Sequence, residues 1–240
     1  MKRNERFVSR LKTMNDLPQN ILTIDSSSKT LKLALAFHGD RLVKSEEVAD
    51  QSHGQVLLKK IDDLINSAGI SKTDLDALIV STGPGSFTGL RIGIAAAKGI
   101  AVALGIKIIS VNLFELAAYK FRDEDDEIII LVPFKKDEFF VVPVFQNSYD
   151  LSKLKSVTIK NFLDVCNQKK FAAFEFDLQS FFPDLIDLDL SDQLQYDASD
   201  LFYIGQTKIE KNKFEDITTL EPLYLQKSQA EIHFDLKNKK

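Results

Sequence analysis

The chain has 240 residues, 44% of them apolar and 28% charged, with a formal net charge of −4. That length supports one large domain or two small lobes around a substantial core. The acidic balance excludes a basic field able to grip tRNA or a membrane surface unaided. Cys166 is the only cysteine, which excludes an internal disulfide and a cysteine-built metal cluster; it reads as a small core residue.

Residues 1–20 read as a disordered extension, polar and basic through Lys2, Arg3, Arg6, Arg10 and Lys12. They lack the apolar stretch of a secretory signal, and Met14 is an alternative start. No run approaches the ~18 apolar residues of a membrane span, so a cytoplasmic location is expected. Ile21–Ile24 is a short apolar strand. Leu31, Leu33, Leu35 and Phe37 alternate as in a second strand, and His38-Gly39-Asp40 turns the chain into a third, Arg41 to Val48. Ser52-His53-Gly54-Gln55 has the pattern of a capping box. Leu57, Leu58, Ile61, Leu64, Ile65 and Ala68 follow at helical spacing, and Gly69 stops the run. Residues 77–82 form a fourth strand, 88–104 a helix rich in small residues, 106–111 a fifth strand and roughly 113–121 another helix. Hairpins make antiparallel neighbours and helical crossovers make parallel ones. The order β-β-β-α-β-α-β-α therefore predicts a mixed sheet with flanking helices, the ribonuclease-H-like lobe of the actin/Hsp70 (ASKHA) α/β fold.

Past residue 121 the pattern weakens. The acidic run Asp123–Glu127 reads as a solvated loop. Strands restart at 128–132 and 139–145, and residues 122–215 are expected to form a reduced second lobe. Residues 216–240 are read as a docking segment, Glu221-Pro222-Leu223-Tyr224-Leu225, followed by a tail.

The segment Ser81-Thr82-Gly83-Pro84-Gly85-Ser86-Phe87-Thr88-Gly89-Leu90-Arg91-Ile92-Gly93 is the most informative stretch. A glycine turn feeding a helix N-terminus suits a phosphate, yet it also makes a plain strand-to-helix link. The Walker and Rossmann glycine fingerprints are both absent. Ser86 or Thr88 is expected to cap the helix. Two readings of Asp25-Ser26-Ser27-Ser28 stand beside each other. With Gly83 and Gly85 they form a vestigial phosphate loop, which in a kinase-like phosphotransferase would orient a Mg-nucleotide through Asp25. Alternatively, Asp25 and the serines satisfy the turn backbone.

The helix after this loop is apolar nearly all round, with Ile92, Ile94, Ala95, Gly99, Val102, Ala103 and Leu104 on several faces, and such a helix must be covered on more than one side. Gly89, Gly93, Ala96, Ala97 and Ile100 fall on one side. With Ile92 and with His53, Leu57, Ile61 and Leu64 of the preceding helix, they are the expected partner or dimer interface. An exposed apolar patch of this kind predicts a homodimer when the partner is absent.

Ile24-Asp25-Ser26-Ser27, Gln51-Ser52-His53, the segment 83–93, Val111-Asn112 and Pro222-Leu223-Tyr224-Leu225 together resemble the TsaB (YeaZ) family. Residues 21–121 carry the resemblance well and the C-terminal segment moderately. Where the family often has Asp-Ala-Arg-Met-x-Glu-Val-Tyr, residues 133–140 keep only Glu138. The resemblance implies a subunit that pairs with TsaD, a catalytic sibling that transfers a threonylcarbamoyl group to a tRNA adenosine beside the anticodon. TsaD holds a metal through Asn-His-x-Glu-x-His; here the stretch reads Asn112-Leu113-Phe114-Glu115-Leu116-Ala117, with both ligand positions apolar. His38, His53 and His233 are the only histidines, and no two have the spacing of a ligand pair. The expectation is therefore a pseudo-enzyme with no catalytic residue and no metal or cofactor of its own. ATP and metal would be held by partner subunits, a TsaD-like transferase and a TsaE-like ATPase, and tRNA would be met only through the complex.

Overall fold

The computed structural model describes residues 17–39, 41–48, 53–135, 138–158, 160–162, 170–174 and 193–225. The expectations for residues 1–16, for Gln51 and Ser52, for Cys166 and for His233 lie outside these residues. Strands β1 (Ile21–Asp25), β2 (Thr30–Phe37), β3 (Arg41–Val48), β4 (Ala77–Gly83) and β5 (Lys107–Asn112) form the first sheet, in the order β3-β2-β1-β4-β5. β1 pairs antiparallel with β2, and β2 with β3; β4 lies parallel to both β1 and β5. This is the mixed sheet that hairpins followed by helical crossovers predict. His38 makes the first hairpin turn with a positive φ of 52°.

Successive side chains of a strand point to opposite faces, and both faces of β1 and β4 are buried. Helices α1 (His53–Ala68) and α2 (Phe87–Leu104) cover one face. There Leu22, Ile24, Leu78 and Val80 meet Leu57, Ile61, Ile65, Ile94 and Ala97. The other face, with Ile21, Ile79, Ile109 and Val111, is covered by Leu201, Phe202 and Ile209. Those residues belong to a helix at Ala198–Glu210, which follows α3 (Leu113–Lys120) in chain order and is designated α4. Gly205 lets α4 approach closely: a Cβ there would lie 2.4 Å from Ile79 Cδ1.

The second sheet holds β6 (Ile128–Lys135), β7 (Glu138–Phe145), β8 (Ser148–Tyr149), β9 (Lys155–Thr158), β10 (Lys170–Phe174) and β11 (Gln193–Leu194). Its order is β11-β10-β6-β7-β8, with β9 also paired to β7. α3 serves both sheets: Leu113 and Leu116 face the first core, whereas Phe114, Ala117 and Ala118 pack with Ile130, Val142 and Ala172 of the second. The expected boundary of the second lobe at residue 215 is corrected. α4 buries Ala198, Leu201, Phe202, Gly205 and Ile209, and this apolar face returns to the first sheet, where with Leu113 and Leu116 of α3 it covers the side opposite α1 and α2. The chain then runs along β5, Glu215 N–H donating to Ile108 O at 2.9 Å, and reaches β4, Leu223 N–H donating to Thr82 O at 2.8 Å.

A second correction concerns α2. Its 18 residues have a mean hydropathy of 1.5, long and apolar enough by length and composition to cross a membrane. Arg91 and Lys98 interrupt its apolar run, and its inner face packs on the first sheet.

Candidate functional site

Two loops meet at the C-terminal end of β1 and β4. Gly83 takes a φ of 93°, a left-handed conformation that favours glycine. Gly85 is required for a different reason: a Cβ would lie 2.2 Å from Ser27 O. Ser86 caps α2, its hydroxyl accepting from Gly89 N–H at 3.1 Å, while its own N–H donates to Ser27 O at 2.6 Å. Ser26 Oγ donates to Gly89 O at 2.8 Å. The glycine loop is thus closed onto the 26–28 turn by hydrogen bonds and direct contact, and Ser28 completes that turn by donating to Thr30 O and accepting from Thr30 N–H.

Asp25 is fully buried. One of its carboxylate oxygens accepts from Ser27 N–H at 2.9 Å and the other from the Tyr196 hydroxyl at 2.8 Å. Its antiparallel neighbour across the ladder is Lys32, also buried, whose ammonium stands 4.0 Å above the Tyr196 ring. Tyr196 touches the second sheet as well, edge-on to Phe174. A buried charge is tolerated where it is hydrogen-bonded or paired, and an ammonium over an aromatic face gains from the ring quadrupole. Sequence reasoning missed Lys32 and Tyr196. Lys32 did leave a signal, as the one charged residue in the apolar run Thr30–Phe37. Tyr196 lies 171 positions from Asp25 and left none.

The helical surface differs from the expected one. Leu57, Ile61, Leu64, Gly89, Gly93 and Ala97 are buried within the fold. Gly93 faces Ser26, where a Cβ would come within 2.2 Å of Ser26 Oγ, and a Cβ on Gly89 would lie 2.1 Å from Ser26 O. Gly89 and Gly93 therefore admit the 26–28 turn to the helix. Ile92, Ala96 and Ile100 are half-buried, with Ile92 against Gly54 of α1. His53 opens α1. The side of α2 turned to solvent carries Ala95, Gly99, Val102 and Ala103, and Val102 is 69% exposed, as is 59% of Leu58 on α1. At the start of α2, Arg91 stacks 3.9 Å from the Phe87 ring and donates to Tyr224 Oη at 2.8 Å. The docking segment is thereby fastened to α2.

The family described as TsaD, tRNA N6-adenosine threonylcarbamoyltransferase, matches residues 45–149. Among curated proteins, the chain is 31% identical over 111 residues to the tRNA threonylcarbamoyladenosine biosynthesis protein TsaB of Haemophilus influenzae, covering 46% of this chain and 47% of that protein. It is 38% identical over 93 residues to TsaB of Escherichia coli, covering 38% and 39%. The matches thus span less than half the length of these curated relatives. A solved structure of YeaZ from Pseudomonas aeruginosa superposes with a TM-score of 0.62 at 22% identity, covering 86% of this chain and all of that one. Over these stretches the chain is similar to proteins of the TsaB (YeaZ) family.

α3 begins where the resemblance places the sibling's metal ligands. Leu113 and Ala117 are buried there in apolar cores. The polar groups of this stretch are spent internally. Asn112 caps α3 in a capping box with Glu115 and donates to Tyr149 Oη at 2.7 Å. Glu115 in turn pairs with Lys208 of α4 at 2.7 Å. Burial pushes the Tyr149 phenol up, with the Asn112 hydrogen bond opposing. Among the described residues no group of three His, Cys, Asp or Glu side chains is arranged to hold a metal ion.

Proposed function

We propose that this chain is a non-catalytic subunit that binds and supports a TsaD-like transferase in forming threonylcarbamoyladenosine beside the tRNA anticodon, within a cytoplasmic complex. The observation that carries this reading is the solvent-facing stripe Ala95, Gly99, Val102 and Ala103 on α2, with Leu58 exposed on α1. Small residues in such a stripe let a second helix approach closely, and association buries apolar area. In the transferase's absence the same stripe would pair two copies of this chain. ATP and metal belong to the partner subunits, the transferase and a TsaE-like ATPase. The internal engagement of both Asp25 oxygens by Ser27 and Tyr196 favours the turn-satisfying role of Asp25 over the kinase-like one.

The test is co-expression with the cognate TsaD, followed by size-exclusion chromatography and a tRNA modification assay omitting each subunit in turn. The wild type should co-elute with the transferase. Gly99→Arg and Val102→Glu should abolish co-elution while leaving the circular dichroism spectrum unchanged. Phosphotransfer by the isolated chain, lost in Asp25→Ala, would overturn the reading in favour of an enzyme.

A further inference from the structure

We propose that Tyr196 is a latch between the two sheets and that the 25–28 turn passes its state to the N-terminal end of α2. β11 belongs to the second sheet, and after three intervening residues α4 begins on the first. Tyr196 sits in this crossover, and its ring meets Phe174 of β10 while its hydroxyl reaches Asp25 of β1. Immediately after it, Asp197 pairs with Lys44 of β3 at 2.5 Å. The crossover is therefore fixed to the first sheet at two adjacent residues.

The second half of the path runs through the turn. Asp25 and Tyr196 lie on the α4 face of the sheet, whereas α2 packs on the opposite face. The turn rounds the end of the sheet and is held from both sides. Tyr196 Oη stands 3.4 Å from Ser27 Oγ as well as bonding Asp25. On the far side Ser27 O accepts the Ser86 N–H, Ser26 Oγ bonds Gly89 O, and Gly85, Gly89 and Gly93 leave no space between turn and helix. Close-packed groups without slack transmit displacement. A shift of the crossover moves Asp25, the 26–28 turn and the first turn of α2 together, and coupling of this kind is reciprocal. Given α2 as the partner-facing helix, which rests on the proposed function, the disposition of the second sheet is felt at the docking surface.

Hydrogen exchange resolved by residue tests this without any partner. Tyr196→Phe keeps the ring against Phe174 and Lys32 and removes only the hydroxyl. Losing one buried hydrogen bond should speed exchange about tenfold at three places together: the 26–28 amides, the Ser86 amide with its neighbours through Leu90, and residues 193–198. Ser26→Ala works from the helix side by removing the bond to Gly89 O, and it should speed exchange at 193–198. Acceleration confined to 193–198 in Tyr196→Phe, with no response there to Ser26→Ala, overturns the proposal. Should Tyr196→Phe fail to fold, Ser26→Ala alone decides between coupling and its absence. Wild-type co-elution with TsaD is read separately, so failure of the docking assignment leaves the exchange result standing.

Discussion

Asp197 is the residue whose charge state most plainly bears on stability. Burial pushes its carboxyl up, but the hydrogen bonds from Lys44 and Ser199 win and hold it at about 2, below the ordinary 3.8. A depressed carboxyl stabilises the folded chain above its unfolded pKa, and that contribution fades as pH falls through the folded value. The stability that Asp197 adds should therefore be complete above about pH 4 and lost by about pH 2. Asn at this position still caps a helix, so Asp197→Asn isolates the charge. Its unfolding midpoint should lie below wild type at neutral pH, and the two should converge as acid approaches pH 2. Lys44 supplies the reciprocal shift, its ammonium raised by the hydrogen bond to Asp197.

Two glycines of α2 give the sharpest contrast at the scale of an element. Gly93 has Ser26 Oγ at 2.2 Å from a built Cβ, while Gly99 has nothing within 4 Å. Gly93→Ala must displace a packed turn and should cost about 1–3 kcal/mol. Gly99→Ala meets only solvent and should stabilise the helix by about 0.5–1 kcal/mol. Chemical denaturation of both variants reads the opposite signs directly. The same contrast explains what could be read in the sequence. The five strands and two helices of the first sheet were legible because apolar periodicity follows from burial, and periodicity is a local property. Which side of α2 faces outward was not legible, since apolar residues occur all round it and only the position of the 26–28 turn decides. Lys32 stood out in its strand, yet its meaning needed Tyr196, which arrives from the far end of the chain.

On the scale of the whole molecule, the last part of the chain completes the first part. Glu215 pairs with the outer edge of β5, Leu220 is buried in the first core, and Tyr224 is tied to Arg91. An uncovered strand edge invites pairing with another chain. Truncation after Asn212 should lower the Tm and produce high-mass species by light scattering. This arrangement also accounts for the misplaced boundary at residue 215. The pattern weakens over this stretch, and local periodicity does not say which sheet a helix at 198–210 would cover.

The return of α4 to the first sheet sets a timetable for synthesis. β1 to β5 emerge from the ribosome long before residues 198–210, so Ile79, Ile109 and Val111 wait for their lid on the order of ten seconds at translation speeds of about 5–20 residues per second. Until then the nascent polypeptide presents a half-wet β-surface. A ribosome stalled before codon 198 would display a trappable greasy intermediate, prone to aggregation until its lid is made.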